Sequence, residues 1–263
     1  MFRYLTFFIL CLSILSCAVS PTGQKQLLLF SGDQMSQMGI TAYSQMKEQQ
    51  KVVSNKRTLE YVRCVTNRLL QHLPSELKGQ TWEVNVFQDD SPNAFALPGG
   101  KIGVHTGMLD TANSPAMLAA VIGHEIGHVW ANHGNARMSQ TALAQQGLQL
   151  VSIIAGEPTP EKQMALGALG LATKGVVLKY SRKHEKEADS LGVRLMAQAG
   201  FDPSEAVTLW QKMAQMSEGS MPEFLSTHPS EEARIKKITS QLKNVLPMYQ
   251  QAISSGRAPL CRR

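Results

Sequence analysis

His124-Glu125-Ile126-Gly127-His128 places two histidines four residues apart inside an apolar run. Upstream, Ser114-Pro115 reads as an N-cap followed by proline at the first helical position. Met117, Leu118, Val121 and Ile122 then carry an apolar helix through His128 and beyond. On a helix, residues four apart lie one above the other, about 6 Å along the axis and on one face. Two imidazoles so placed can converge on a single Zn²⁺. Glu125 projects to the side of such an ion, where it can take a proton from a water molecule. Val121 and Ile122 bury the same helix, so these polar side chains need partners inside the core.

A catalytic zinc site takes a third protein ligand and keeps a position open. The pattern H-E-x-x-H-x-x-G-x-x-H would require glycine at 131 and histidine at 134. The chain has Ala131 and Gly134 there, and His133 is one residue out of register. A glutamate on a later helix is the alternative. Residues 181–192 read SRKHEKEADSLG, in which Glu185 and Asp189 are four apart and share a helical face. Glu185 can ligate the metal and Asp189 can hydrogen-bond a ligating imidazole. Glu187 is the rival ligand, but it points away from the face of Asp189.

The rest of the chain sets the context. Its 263 residues are ample for a core, and 43% hydrophobic residues argue against disorder. No Lys/Arg run exceeds two residues, so the net charge of +6 reads as a solvated surface and no nucleic-acid partner is expected. Residues 1–16 have the layout of a secretory signal, with Arg3 ahead of an apolar run from Leu5 to Leu15. Ser16-Cys17 at its end resembles the bacterial lipoprotein signal. Cys17 would then carry the lipid, residues 17–25 would be a tether, and 26–263 the folded domain. Cys11 leaves with the signal. Cys64 and Cys261 remain in an oxidising compartment and are expected to pair as a disulfide.

Helices are expected over 33–50, 56–72, 181–198, from Pro203, and over 231–242. Strands are expected over 82–87, 93–97 and 102–106, the last two joined by Pro98-Gly99-Gly100. From Arg137 onward nearly everything reads as helix, with a break at 156–160. The segment 137–179 is compatible with a lid, a membrane-facing hairpin or a packed helical pair. The fold class is therefore α+β, mostly helical, with one small β-sheet.

NAFALPGG, GHEIGH, the E-x-x-x-D of SRKHEKEAD, and THPSEEAR together resemble the HtpX/CAAX-protease type of zinc metallopeptidase. Within it, they are most similar to the LoiP-like periplasmic lipoprotein branch. The resemblance runs from about Gln26 to Lys243. It implies a zincin-like domain of the gluzincin type, with one Zn²⁺ per chain on His124, His128 and Glu185. Glu125 would be general base and acid, and Asp189 would orient His124. His228, in Thr227-His228-Pro229, would either stabilise the oxyanion or occupy the open metal position and hold the enzyme latent. Arg234 would fix that loop by pairing with an acid. Asn93, Ala94, Phe95 and Ala96 would form an edge strand along the cleft, able to pair with an extended peptide. The implied activity is endopeptidase cleavage of misfolded or misassembled envelope proteins at the periplasmic face of the outer membrane. A largely latent, zinc-dependent chaperone or assembly factor for outer-membrane proteins is the alternative.

Overall fold

The computed structural model describes residues 17–155, 182–216, 228 and 232–263. The signal-like residues 1–16 and the segment 156–181 lie outside them. Contacts divide the chain into two units, residues 1–32 with 132–181 and residues 33–131 with 182–263. The fold is α+β and mostly helical.

In the first unit, strand β1 (Cys17–Val19) pairs antiparallel with β2 (Lys25–Leu27), so the stretch read as a tether contains a two-stranded ladder. Two polar side chains near the start of the helix His133–Ala155 pin the chain that follows β2. The Leu29 N–H donates to Ser139 Oγ at 2.8 Å, and Asn135 Nδ2 donates to the Phe30 carbonyl at 2.7 Å.

The second unit holds the main core. Helix α1 (Gly32–Gln49) and α2 (Lys56–Leu70) come first, then a short α3 (Ser75–Lys78). A three-stranded sheet follows, built from β3 (Glu83–Phe87), β4 (Ala94–Leu97) and β5 (Lys101–His105) in the order β3-β5-β4. β3 is parallel to β5, and β4 is antiparallel to it. The hairpin between β4 and β5 turns on Gly99 and Gly100, at φ 80° and 72°, where side-chain-bearing residues are disfavoured.

Among the described strands β4 lies at the edge of the sheet. The His105 N–H donates to the Asn93 carbonyl at 2.9 Å, which makes Phe95 and Leu97 the next residues bonded to β5. The backbone groups of Ala94 and Ala96 therefore point off the edge away from β5, where no other described strand pairs.

After α4 (Thr106–Thr111), helix α5 (Pro115–Trp130) crosses the core beside β4. Ser114 caps it, accepting the Met117 N–H at 3.1 Å. Every residue from Met117 to Gly127 is buried, the pattern of a helix packed all round. Asn132 ends it in a left-handed conformation, φ 55°. The helix His133–Ala155 is α6. A helix over 182–198, α7, then packs across α5. α8 (Glu205–Met216) and α9 (Glu232–Ser254) complete the unit. α9 outruns the expected end at Leu242 and continues through Pro247, because Ile238, Val245 and Ala252 extend one buried stripe at seven-residue spacing. Cys64 and Cys261 form the expected disulfide, with 5.7 Å between Cα atoms.

Candidate metal centre

α5 and α7 approach closely because small residues face each other where they cross. A methyl group built at Gly127 would lie 2.8 Å from the Ala188 carbonyl oxygen, and one at Gly123 would lie 3.2 Å from that of Gly192. On α5, the histidines flank this contact. On α7, Glu185 and Asp189 flank it in turn. The GHEIGH stretch thus carries both the metal-ligand pattern and the small residues that bring the partner helix in.

Four side chains converge there. His124, His128, Glu185 and His228 each present one ligand atom within 4.8 Å of the others. His124 Nε2 lies 3.1 Å from His128 Nε2 and 3.2 Å from Glu185 Oε2. His128 Nε2 lies 3.3 Å from Glu185 Oε1. A tetrahedral ion with bonds of about 2.0–2.1 Å spaces its ligand atoms about 3.3–3.4 Å apart. These separations are close to the edge lengths of such a tetrahedron, with Glu185 offering Oε2 toward His124 and Oε1 toward His128, and two imidazoles and a carboxylate form the donor set. His228 Nδ1 completes it, 3.3 Å from His124 Nε2 and 3.1 Å from each Glu185 oxygen.

The groups behind the donors fix their orientation. His124 Nδ1 is 2.9 Å from Asp189 Oδ1, which leaves Nε2 to face the cluster. Arg234 holds Asp189 bidentately, Nε to Oδ2 at 2.8 Å and Nη2 to Oδ1 at 2.7 Å. Its Nη1 lies 3.1 Å from Glu185 Oε2 and donates to the His228 carbonyl at 3.4 Å. Arg234 thus pairs with two acids and with the His228 backbone. Glu187, the rival ligand, is buried but outside the cluster.

Burial opposes charge throughout this site, and specific partners overcome it. Burial raises the Asp189 carboxyl, but the adjacent Arg234 charge and its hydrogen bonds hold it below the usual carboxylate range. Burial likewise opposes ionisation of Glu185, yet hydrogen bonds from the three histidines hold it well below. Burial lowers His124, while Asp189 and Glu185 lift it to about 9. Glu185 lifts His128 as well, but burial outweighs it and leaves the imidazole well below its ordinary value.

Glu125 differs from these. Its carboxyl is raised by burial and accepts a hydrogen bond from the Ala96 backbone. Among the described residues its Oε1 has no hydrogen-bond partner, and it lies 3.7 Å from His228 Nε2. A buried oxygen with an unused lone pair beside the donor cluster fits a group that accepts a proton during reaction.

Two contacts escaped the sequence reading, one of them made by a residue it named for another role. The Ala96 N–H, on the outer edge of β4, bonds Glu125 directly. Trp210 on α8 lies against both His124 and Arg234, with its ring 5.4 Å from the imidazole and 4.0 Å from the guanidinium carbon. In the sequence it is one apolar residue on a helix face with Ala206, Leu209 and Met213, which reads as plain core.

Comparison with known proteins agrees with this geometry. Residues 56–242 match peptidase family M48. The chain belongs to peptidase family M48. It is 38% identical over 188 residues to the mitochondrial metalloendopeptidase OMA1 of Schizosaccharomyces pombe, covering 70% of this chain and 53% of that one. It is 37% identical over 188 residues to OMA1 of Arabidopsis thaliana, covering 70% and 36%. It is 27% identical over 227 residues to the beta-barrel assembly-enhancing protease of Escherichia coli, covering 83% and 46%. The chain spans about half the length, or less, of these curated relatives. The M48 membership makes this a metallopeptidase domain, and the His/Glu cluster supplies a place for its metal. Among the described residues, no helix is long and apolar enough to cross a membrane.

Proposed function

We propose that this chain is a zinc-dependent endopeptidase of the LoiP-like lipoprotein branch, anchored through Cys17 at the periplasmic face of the outer membrane. Its proposed substrates are misfolded or misassembled envelope proteins. The observation that carries the catalytic part is the set His124, His128 and Glu185 at metal-ligand spacing, with Glu125 Oε1 beside it and free of hydrogen bonds among the described residues. The lipoprotein-like signal ending at Cys17 supports the location. The similarity to a beta-barrel assembly-enhancing protease supports the class of substrate.

His124, His128 and Glu185 would hold the metal. When bound, it supplies Lewis-acid polarisation of the scissile carbonyl and the attacking water. The remaining work falls to the chain. The substrate backbone pairs with the outer edge of β4 through the outward groups of Ala94 and the Ala96 carbonyl, since the Ala96 N–H serves Glu125. This reads backbone more than side chains and fits broad selection. Glu125 accepts the proton of the attacking water and returns it to the leaving amine. Its raised pKa and partial desolvation suit both halves of that transfer. Asp189 and Arg234 keep His124 and Glu185 aimed throughout.

The experiment is cleavage of an unfolded protein such as casein by the purified chain. Chelation should abolish it and Zn²⁺ should restore it. Substrates captured by Glu125→Gln in cells should be dominated by envelope proteins; a cytoplasmic set would overturn the assigned location.

One observation favours a second, regulatory reading. His228 Nδ1 lies inside the donor set, at ligand spacing from His124 and Glu185. A resting state in which this histidine holds the fourth position would be latent, and the chain could act mainly as a zinc-dependent assembly factor. His228→Ala should then raise casein cleavage. A fall would assign His228 to the reaction instead.

A further inference from the structure

Arg234 is a buried guanidinium whose rim is fully engaged. Nε and Nη2 serve Asp189, while Nη1 serves Glu185 and the His228 carbonyl. These bonds lie in the guanidinium plane and do little to fix its height along the plane normal. The guanidinium lies over the face of Trp210, with Cζ 4.0 Å from the ring centroid. The same indole meets His124 at 5.4 Å and an interplanar angle of 72°. Trp210 is itself buried, on the face of α8 that turns into the core.

We infer that Trp210 is a positioning residue for the metal centre. Its π face holds the Arg234 guanidinium at the height from which Arg234 aims Glu185 and, through Asp189, His124. One aromatic residue on α8 thereby links ligands on α5 and α7 to the arginine of α9. The attraction is that of a cation for an aromatic face, strengthened because both partners are out of water. Removing the face lets the guanidinium settle toward the space left behind. Its rim bonds then drag Glu185 and Asp189 out of register with the histidines. This role rests on the metallopeptidase reading proposed above.

The test weakens the face without changing its shape. Trp82, Trp130 and Trp210 are the three tryptophans of the chain. In the full chain carrying Trp82→Phe and Trp130→Phe, Trp210 is replaced biosynthetically by progressively fluorinated tryptophans, which drain the ring of its negative face. Zinc affinity, read by competition with a chromophoric chelator, should fall stepwise by about tenfold across the series. In the same series kcat for casein should fall while KM holds. Circular dichroism of the chelated proteins should stay constant. Substitution gives an independent arm: Trp210→Phe should stay within about threefold of the parent and Trp210→Leu should lose about tenfold. Flat zinc affinity across the fluorinated series, or equal losses in Phe and Leu, overturns the role of Trp210 and leaves the peptidase reading standing. A parent chain that binds no zinc overturns both.

Discussion

Alanine at Gly127 should damage the metal centre more than the fold. The added methyl would lie 2.8 Å from the Ala188 carbonyl oxygen, 3.0 Å from its Cα and 3.3 Å from its carbonyl carbon, all backbone atoms that cannot rotate away. Relief requires α5 and α7 to separate by roughly half an ångström, since carbon contacts are comfortable at about 3.5–4.0 Å. Overpacking of this kind costs about 1–3 kcal/mol. Helix propensity returns up to about 1 kcal/mol, because alanine is the better helix former. The net loss of stability should therefore be small, about 0–2 kcal/mol. The metal centre has far less slack. Glu185 rides on α7 and the two histidines on α5, and metal–ligand distances tolerate only about 0.2 Å. Zinc affinity should fall about tenfold or more, on the scale seen when a ligand loses its support. Gly123→Ala is the graded control, with its methyl at 3.2 Å from the Gly192 oxygen, and should lose about threefold. Chelator competition measures both affinities, and thermal unfolding of the chelated proteins measures the fold. If Gly127→Ala binds zinc as the wild type does and melts no lower, the close helix crossing does not set the ligand geometry.

Two further outcomes follow from other parts of the structure. The Cys64–Cys261 disulfide closes a sequence separation of 197, and on the chain-entropy view such a loop stabilises by up to about 5 kcal/mol. Cys64→Ser/Cys261→Ser should lose roughly 3–5 kcal/mol in urea unfolding, and dithiothreitol should bring the wild type to the same midpoint; an unshifted midpoint would deny the bond its role. The second concerns pH. In chelated protein the Asp189 and Glu185 carboxylates hold the His124 proton up to about 9, against burial and above the ordinary 6.5. Because the folded value is raised, this contribution to stability is complete below pH 6.5 and is lost as pH rises through about 9. The same proton competes with the metal, so zinc affinity should climb with pH across that window. An affinity that stays level between those limits would contradict the assignment.

Much of the site is legible in local spacing. Histidines four apart on a helix share a face, and so do Glu185 and Asp189, whatever the rest of the chain does. Ser114-Pro115 marks the start of α5 because capping is a local interaction. The pairing of Cys64 with Cys261 is legible once residues 1–17 are read as a lipoprotein signal, which leaves two cysteines to pair. Other features depend on what meets what in three dimensions. Gly123 and Gly127 lower helix propensity, and their use appears only when the backbone of α7 arrives against them. Trp210 looks like any core aromatic until Arg234, from a helix further along the chain, lies across its face. The continuation of α9 through Pro247 is decided by burial of Val245 and Ala252, which outweighs the local cost of proline. Fine donor spacing thus depends on tertiary packing, whereas which side chains share a helical face is local.

The central claim, that this M48 domain binds one zinc on His124, His128 and Glu185 and uses Glu125 to move a proton, is tested most directly in Glu125→Gln. Metal content and casein cleavage should be measured on the same preparation. We predict one zinc per chain, as in the wild type, with cleavage reduced by about two orders of magnitude or more. A zinc-loaded Glu125→Gln chain that still cuts casein at the wild-type rate would contradict it.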